Sequence, residues 1–279
     1  MGADLAAGTL ITVAPTGAEL AKADFPNLPT TLEELVATAK ACAAAGAGMI
    51  HVHLRDEQDR SCLDVGRLSE AVAAIRGETD LLVQLSTGGA VTDSFEKRMA
   101  VLDAAPDSCS LTCGTVNFGD DVFTNPWPFI AELYQRTQAR GVVPEFELFD
   151  LGHVATLHRL LDTYGPPATG RIHADLVMGV PGGMPGTAET LVAVAGQLPA
   201  GATFSATGIG RSALPVAFAA LAAGGHLRVG LEDTVTFAKG RPAKDNAELV
   251  ERAATLADLA GRPPITGAAA RHFFGLQPV

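Results

Sequence analysis

Met49-Ile-His-Val-His-Leu-Arg55 is the stretch on which the reading of the fold turns. Taken as a β-strand, it sends alternate side chains to opposite faces. Ile50, Val52 and Leu54 then share one face, and His51, His53 and Arg55 the other. The same split recurs along the chain. Val83 and Leu85 oppose Gln84 and Ser86, and Phe146 and Leu148 oppose Glu145 and Glu147. Leu227, Val229 and Leu231 oppose Arg228 and Glu232. A sheet covered by helices on both faces is apolar on both. One apolar face and one repeatedly polar face are better explained by closure into a barrel, with helices outside and a polar interior.

Outward from that stretch, β-rich runs alternate with helical segments. Strands are expected at 10–16, 49–55, 81–87, 108–113, 142–150, 171–179, 203–208 and 226–233. Helices are expected from Leu32 to about Gly46, then near 67–76, 94–103, 128–140, 154–164, 188–198, 214–223 and 247–260. Thr31 and Glu34 have capping-box spacing ahead of the first helix, and Gly46 suits its C-terminal end. Eight such units imply parallel β-α-β connections and an α/β fold of the TIM (β/α)8 barrel type; a doubly wound sheet is the competing reading. The expectation is a single domain over 1–279, with a short C-terminal helix near 268–274 packed on its outside.

Composition narrows the class. The 279 residues could hold two domains, but no linker or shift of composition divides them. With 47% hydrophobic and 18% charged residues the chain is not a disordered one. Its longest apolar stretch, Ala213 to Gly225, falls well short of the roughly 20 residues a membrane span needs. The start, Met1-Gly-Ala-Asp-Leu5, lacks the basic and apolar regions of a signal peptide, so a cytoplasmic location is expected. A net charge of -11 gives no basic footprint for nucleic acid. A polyanionic ligand held by a few local basic residues stays open. Cys42, Cys62, Cys109 and Cys113 form no C-x-x-C pair and do not suggest a disulfide scaffold.

His51-Val-His53 is the sharpest chemical feature. Two imidazoles on one side of a strand suit two ligands of one divalent metal. The pair ends a barrel strand, at the face where TIM-barrel sites form, which weighs against a merely hydrogen-bonded interior pair. No cysteine pair completes a closed structural zinc site, so a catalytic site with a carboxylate as third ligand is expected. Glu232 is best placed, because strands eight and two flank strand one; its spacing fits a rim carboxylate equally well. Arg228 and Asp233 read either as a proton-transfer pair or as a structural ion pair. Glu19, Glu145 and Glu147 are available to a charged substrate tail.

Three glycine-rich loops follow strands three, six and seven: Ser86-Thr-Gly-Gly89, Gly179-Val-Pro-Gly-Gly-Met-Pro-Gly186 and Gly208-Ile-Gly-Arg211. Each is either a turn or a row of N–H groups offered to an anion. None has the spacing of a Walker A loop or a dinucleotide fingerprint. Arg211 is either a phosphate partner or a surface arginine.

The motifs taken together resemble those of the β-keto acid cleavage enzymes. They are Thr16-Gly-Ala-Glu19, Pro26-Asn-Leu-Pro29, His51-Val-His53, Gln84-Leu-Ser-Thr-Gly-Gly-Ala90 and Gly114-Thr-Val-Asn-Phe-Gly-Asp-Asp121. Val143-Pro-Glu-Phe-Glu147, Gly179-Val-Pro-Gly-Gly-Met184, Gly208-Ile-Gly-Arg211 and Gly224-Gly-His-Leu-Arg-Val-Gly-Leu-Glu-Asp233 continue the series, so the resemblance runs over nearly the whole chain. It implies a TIM barrel that holds Zn2+, or another divalent metal, through His51, His53 and Glu232. It implies a retro-Claisen exchange in which a β-keto acid and acetyl-CoA give acetoacetate and an acyl-CoA. Asp233, oriented by Arg228, is then the base for the acetyl α-proton. Glu19, Ser86, Thr115, Asn117 and either Glu145 or Glu147 contact the substrate, with Thr87 and Gly88 beside Ser86 and with Arg211 near the CoA phosphates. A carboxylate beside the tail favours a cationic substrate such as 3-keto-5-aminohexanoate. The family also implies a homo-oligomer, a tetramer in particular. A zinc-dependent aldolase or hydrolase, or a non-catalytic ligand-binding barrel, are the alternatives.

Overall fold

The computed structural model describes residues 8–277. The chain start read above for a signal peptide, and the outermost residues of the expected 1–279 domain, lie outside that range. Eight parallel strands run in chain order: β1 (Thr9–Val13), β2 (Met49–Val52), β3 (Leu82–Leu85), β4 (Ser108–Thr112), β5 (Val143–Leu148), β6 (His173–Met178), β7 (Thr203–Gly208) and β8 (His226–Val229). Each pairs with the next, and β8 pairs back onto β1 through Ile11 and Leu227. The sheet is therefore a closed TIM barrel.

Helices α1 (Leu32–Ala44), α2 (Val65–Glu78), α3 (Phe95–Ala100), α4 (Trp127–Arg140), α5 (Leu151–Tyr164), α6 (Ala188–Ala195), α7 (Ala213–Ala222) and α8 (Asn246–Leu259) follow the strands in turn. Strand parity explains why they pack where they do. Ile50, Val52, Val83, Leu85, Phe146, Leu148 and Leu227 face outward and share one buried apolar layer with Leu35, Leu68, Val72 and Ile75 of the first two helices. The capping box forms as expected: Thr31 accepts from the Glu34 N–H, and Glu34 accepts from the Thr31 N–H. Asp64, Asp150 and Asp245 cap α2, α5 and α8 by the same chemistry.

Inside the barrel the two ends differ. At the N-terminal end the inward side chains are Leu10, Met49, Leu82 and Val143. Left open, that apolar ring would face water. A ninth helix, α9 (Gly267–Phe273), covers it with Ala270, Phe273 and the following Phe274. The last helix thus closes the barrel floor, where the sequence reading had it on the outside. Pro264–Ile265 guide the chain there by pairing parallel to the start of β1. Arg271 holds the helix by reaching Asp107, 3.1 Å away, whose other oxygen accepts from the Val83 N–H.

At the C-terminal end three short hairpins, absent from the sequence expectation, lengthen the strand-to-helix connections. They pair Leu54–Arg55 with Ser61–Cys62, Val116–Phe118 with Asp121–Phe123, and Thr236–Ala238 with Arg241–Pro242. The eighth strand ends at Val229, four residues earlier than expected. Gly230 sits at φ +153°, and a Cβ there would lie 1.9 Å from the Ala14 carbonyl oxygen. The chain turns at that point, with the Glu232 N–H donating to Ala14 O and the Asp233 N–H to Gly230 O. A turn, rather than strand alternation, places both carboxylates. Among the described residues no helix is long and apolar enough to cross a membrane. All four cysteines are unpaired.

Candidate active site

A cavity of about 330 Å3 opens at the C-terminal mouth of the barrel. One side is polar: His51, His53, Ser86, Glu147, Arg228, Glu232 and Asp233. The other is apolar: Phe118, Phe123, Phe149, Val177, Val180 and Ile209. The loop after β1, Gly17 to Leu20, completes the lining.

His51, His53 and Glu232 each offer one ligand atom, and the three atoms lie within 4.8 Å of one another. Nε2 of each histidine is 3.8 Å from Glu232 Oε1. Two further observations fit a cation here. Among the described residues, Glu232 Oε2 is buried without any hydrogen-bond partner. Burial, with the field of Arg228 added, holds the His51 imidazole down at about 3, so its lone pair is free near neutral pH. His53 is lowered by burial too, although Glu232 opposes the shift. Gly17, at φ +64°, is required where it stands, since a Cβ would come 2.7 Å from Glu232 Cγ.

Arg228 organises the acids. Its Nε and Nη2 donate to both oxygens of Asp233, at 3.2 and 3.0 Å. Nη2 also donates to Glu232 Oε1 at 2.5 Å, and Nη1 to Glu147 Oε1 at 3.4 Å. The two adjacent carboxylates separate in acidity. For Glu232 burial raises the pKa, but Arg228 and the two histidines outweigh it and bring it to about 2. For Asp233 burial wins over Arg228 and, with Glu232 and Glu147 nearby, lifts it to about 7. One stays ionised and suits a ligand; its neighbour is poised to exchange a proton near neutral pH.

The other expected residues divide. Ser86 and Gly88 line the cavity, and Ser86 Oγ accepts from the Gly88 N–H at 3.1 Å. Glu19 is an exposed carboxylate on the lining. Glu147 faces the cavity with Thr112 donating to it at 2.7 Å, and burial raises its pKa. Glu145, by contrast, lies off the lining, among buried side chains of the interior. Thr87 turns away; its N–H and hydroxyl both donate to Ser110. Thr115 and Asn117 are also off the lining. Thr115 Oγ1 accepts from the Asn125 N–H, and Asn117 packs at Gly182. Arg211 lines an adjoining cavity instead, against the loop Gly179–Thr187.

Two arginines that the sequence reading left without a role hold this mouth in shape. Arg55 donates to the carbonyls of Gly17 and Leu20, fixing the loop that carries Glu19. Arg98 donates to the carbonyls of Thr87 and Thr124 and to Asn125, and lies 4.7 Å over the Phe123 ring. Arg55 shared the inward parity of His51 and His53, which is a signal of a kind. Arg98, on α3, had none.

The model of a family described as beta-keto acid cleavage enzyme matches residues 9–276. The chain is 40% identical over 270 residues to the 3-keto-5-aminohexanoate cleavage enzyme of Acetoanaerobium sticklandii, covering 96% of this chain and 98% of that one. It is 35% identical over 271 residues to the 3-oxoadipate:acetyl-CoA acetyltransferase of Cupriavidus necator, covering 96% and 94%. The solved apo structure of ObcA superposes with a TM-score of 0.76 at 22% identity, over 90% of this chain and 66% of that one. That likeness speaks for the barrel alone.

Proposed function

The chain belongs to the beta-keto acid cleavage enzyme family, and on that footing we propose that it exchanges acyl groups between a β-keto acid and acetyl-CoA. The products of this reading are acetoacetate and the CoA ester of the remaining acyl group. Acetyl-CoA as co-substrate is supported by the name of the Cupriavidus necator relative. The observation that carries the reading is Asp233, gripped by Arg228 beside the His51, His53 and Glu232 set.

Those three residues would hold a divalent ion, zinc first among them, given two neutral imidazoles and one ionised carboxylate. When bound, it supplies a Lewis acid for the keto group. Ser86, whose Oγ accepts from Gly88, keeps its own O–H free to donate to the substrate carboxylate.

Atom balance decides which proton Asp233 takes. The CH2–COO part of acetoacetate comes from the keto acid, and its acetyl part from acetyl-CoA. The acetyl group is therefore the electrophile. The proton that leaves is on the keto acid carbon between carboxylate and ketone, not the acetyl α-proton expected from the sequence. Asp233 removes it, and the electron pair forms a bond to the thioester carbonyl carbon as the CoA thiolate departs. The thiolate then attacks the original ketone, the old carbon–carbon bond breaks, and the carbanion of acetoacetate takes the proton back. A carboxylate near 7 serves both directions.

The tail would run from the polar side toward Phe118, Phe149 and Val177, with Glu19 as the lining carboxylate outside the Arg228 cluster. A tail bearing both an ammonium and a methyl group, as in 3-keto-5-aminohexanoate, satisfies both features. Arg211 and the loop Gly179–Thr187 offer a place for CoA phosphates. Val192 and Phe218, exposed on the neighbouring helices α6 and α7, support a homo-oligomer.

Acetoacetate release from a panel of β-keto acids, with and without acetyl-CoA, tests the reading on metal-loaded protein. Product is expected only when both are present. Turnover without acetyl-CoA would point to an aldolase or hydrolase. Metal and CoA binding without any turnover across the panel would make it a binding barrel.

A further inference from the structure

From His51 a line of buried polar side chains runs below the cavity floor, and its other members have no part in the proposed chemistry. The register lays His51, Gln84 and Ser108 side by side across β2, β3 and β4. It lays Glu145 against His173 across β5 and β6. All five are at most 1% exposed. Gln84 joins the two groups. Its Oε1 lies 2.5 Å from His51 Nδ1, and its Nε2 donates to Glu145 Oε2 at 2.8 Å and to Ser108 Oγ at 3.1 Å.

The polarity of this line follows from Glu145. An ionised carboxylate only accepts hydrogen bonds. Burial would raise the Glu145 pKa, but His173, with Nε2 3.3 Å away, the Gln84 amide and the field of Arg228 outweigh that and keep it below the usual value. Gln84 must then turn its NH2 toward Glu145, which leaves its carbonyl oxygen toward His51. A carbonyl oxygen at 2.5 Å demands a proton on His51 Nδ1. In a neutral ring the lone pair then belongs to Nε2, the atom that faces Glu232. Ser108 cannot set this direction by itself, because a hydroxyl both donates and accepts.

We propose that Glu145 is a positioning residue which, through Gln84, presents His51 to the cavity with its Nε2 lone pair outward. From sequence, either Glu145 or Glu147 could have been the glutamate at the substrate. The proposal rests on the reading of His51 as a metal ligand, and it makes the buried glutamate an outer partner of that ligand. Removing the direct hydrogen-bond partner of a ligating histidine, here Gln84, typically costs about 10- to 100-fold in metal affinity or activity, and Glu145 acts through that partner.

Cobalt(II) titration, followed by its visible absorption, tests this on the full chain. Glu145→Gln is expected to bind Co2+ about 10- to 100-fold more weakly than the unaltered protein, and Gln84→Ala to lose a similar factor. The two together should lose no more than Gln84→Ala alone, since both interrupt one line. Multiplying losses would show that Glu145 acts independently of Gln84 and would overturn the proposal, as would unchanged Co2+ affinity in Glu145→Gln. Nitrogen-15 spectra of the unaltered, metal-free protein need no variant: a His51 ring protonated at Nδ1 is expected, and one protonated at Nε2 refutes the idea. His51→Ala serves as the control. If it binds Co2+ normally, the ligand reading has failed; if it does not while Glu145→Gln does, only the positioning role has failed.

Discussion

The two ends of the barrel interior are built from the same eight strands, yet they do opposite things. The N-terminal end is apolar and sealed, with Phe274 fully buried among Leu10, Met49, Leu82 and Val143. The C-terminal end gathers Arg228, three carboxylates and two histidines around an open cavity, and leaves Glu232 Oε2 with no partner among the described residues. Packing at the first end stabilises the fold. At the second, buried charges stand close together, a desolvation cost that pairing with Arg228 offsets, and such clusters are characteristic of functional sites. On the proposed reading, stability and chemistry are separated along the barrel axis, and the line from Gln84 to His173 lies between them.

That separation can be broken from either side. The largest effect is expected from Asp233→Asn, which keeps the shape but removes the proton acceptor. Turnover should fall about 10²- to 10⁴-fold while metal content, measured by elemental analysis, stays as it was. Turnover at the original rate would take catalysis away from this carboxylate. Phe274→Ala should act at the other end. A buried aromatic truncated to alanine costs about 3–5 kcal/mol, to be read from urea unfolding. The turnover number of the folded fraction should not move. A lower turnover number with unchanged stability would make the floor part of the site.

The smallest effect sharpens the comparison through pH. His226 Nδ1 accepts from the Leu10 N–H at 2.9 Å, and its ring lies 4.7 Å from that of Phe273. Burial first, then the fields of His173 and Arg262, hold its pKa well below 6.5. Above about 6.5 neither the folded nor the unfolded chain carries this proton, and the contribution to stability is complete. As pH falls below that value the unfolded chain takes up the proton and the folded chain does not, so stability drops. Between pH 7.5 and 5.5 His226→Asn should lose about 1 kcal/mol less than the unaltered protein in urea unfolding. Equal losses would show that the floor histidine is not the titrating group.

Much of this contrast was legible in the residues. The alternation in Met49–Arg55 put His51 inward and Ile50 outward, and both ended there. Arg228 likewise faced inward by parity. Glu145 and Glu147 shared a face, but nothing in their spacing told which of them reaches the cavity. Depth along a barrel depends on how neighbouring strands are staggered, and stagger is set by pairs such as Ser110 with Glu145 that are far apart in sequence. Thr115 and Asn117 belonged to a motif, but the hairpin that carries Asn117, with Thr115 just before it, keeps both off the cavity lining.

The sequence by itself determined the barrel and the inward set of side chains. Both follow from local rules, a period of two along strands and caps at helix ends, which need only neighbours in the chain. It also determined, through its motifs, the family. Tertiary structure decided three things. It closed the floor with α9, because an apolar ring at the strand starts needs a cover brought from the far end of the chain. It set Glu232 and Asp233 together on Arg228, because the chain turns at Gly230, packed so close to Ala14 that only glycine fits, with the Glu232 N–H donating to Ala14 O and the Asp233 N–H to Gly230 O. And it joined Glu145 to His51 through Gln84, because β2, β3 and β5 lie far apart in sequence and Gln84 reaches Glu145 past the intervening β4 only inside the folded barrel.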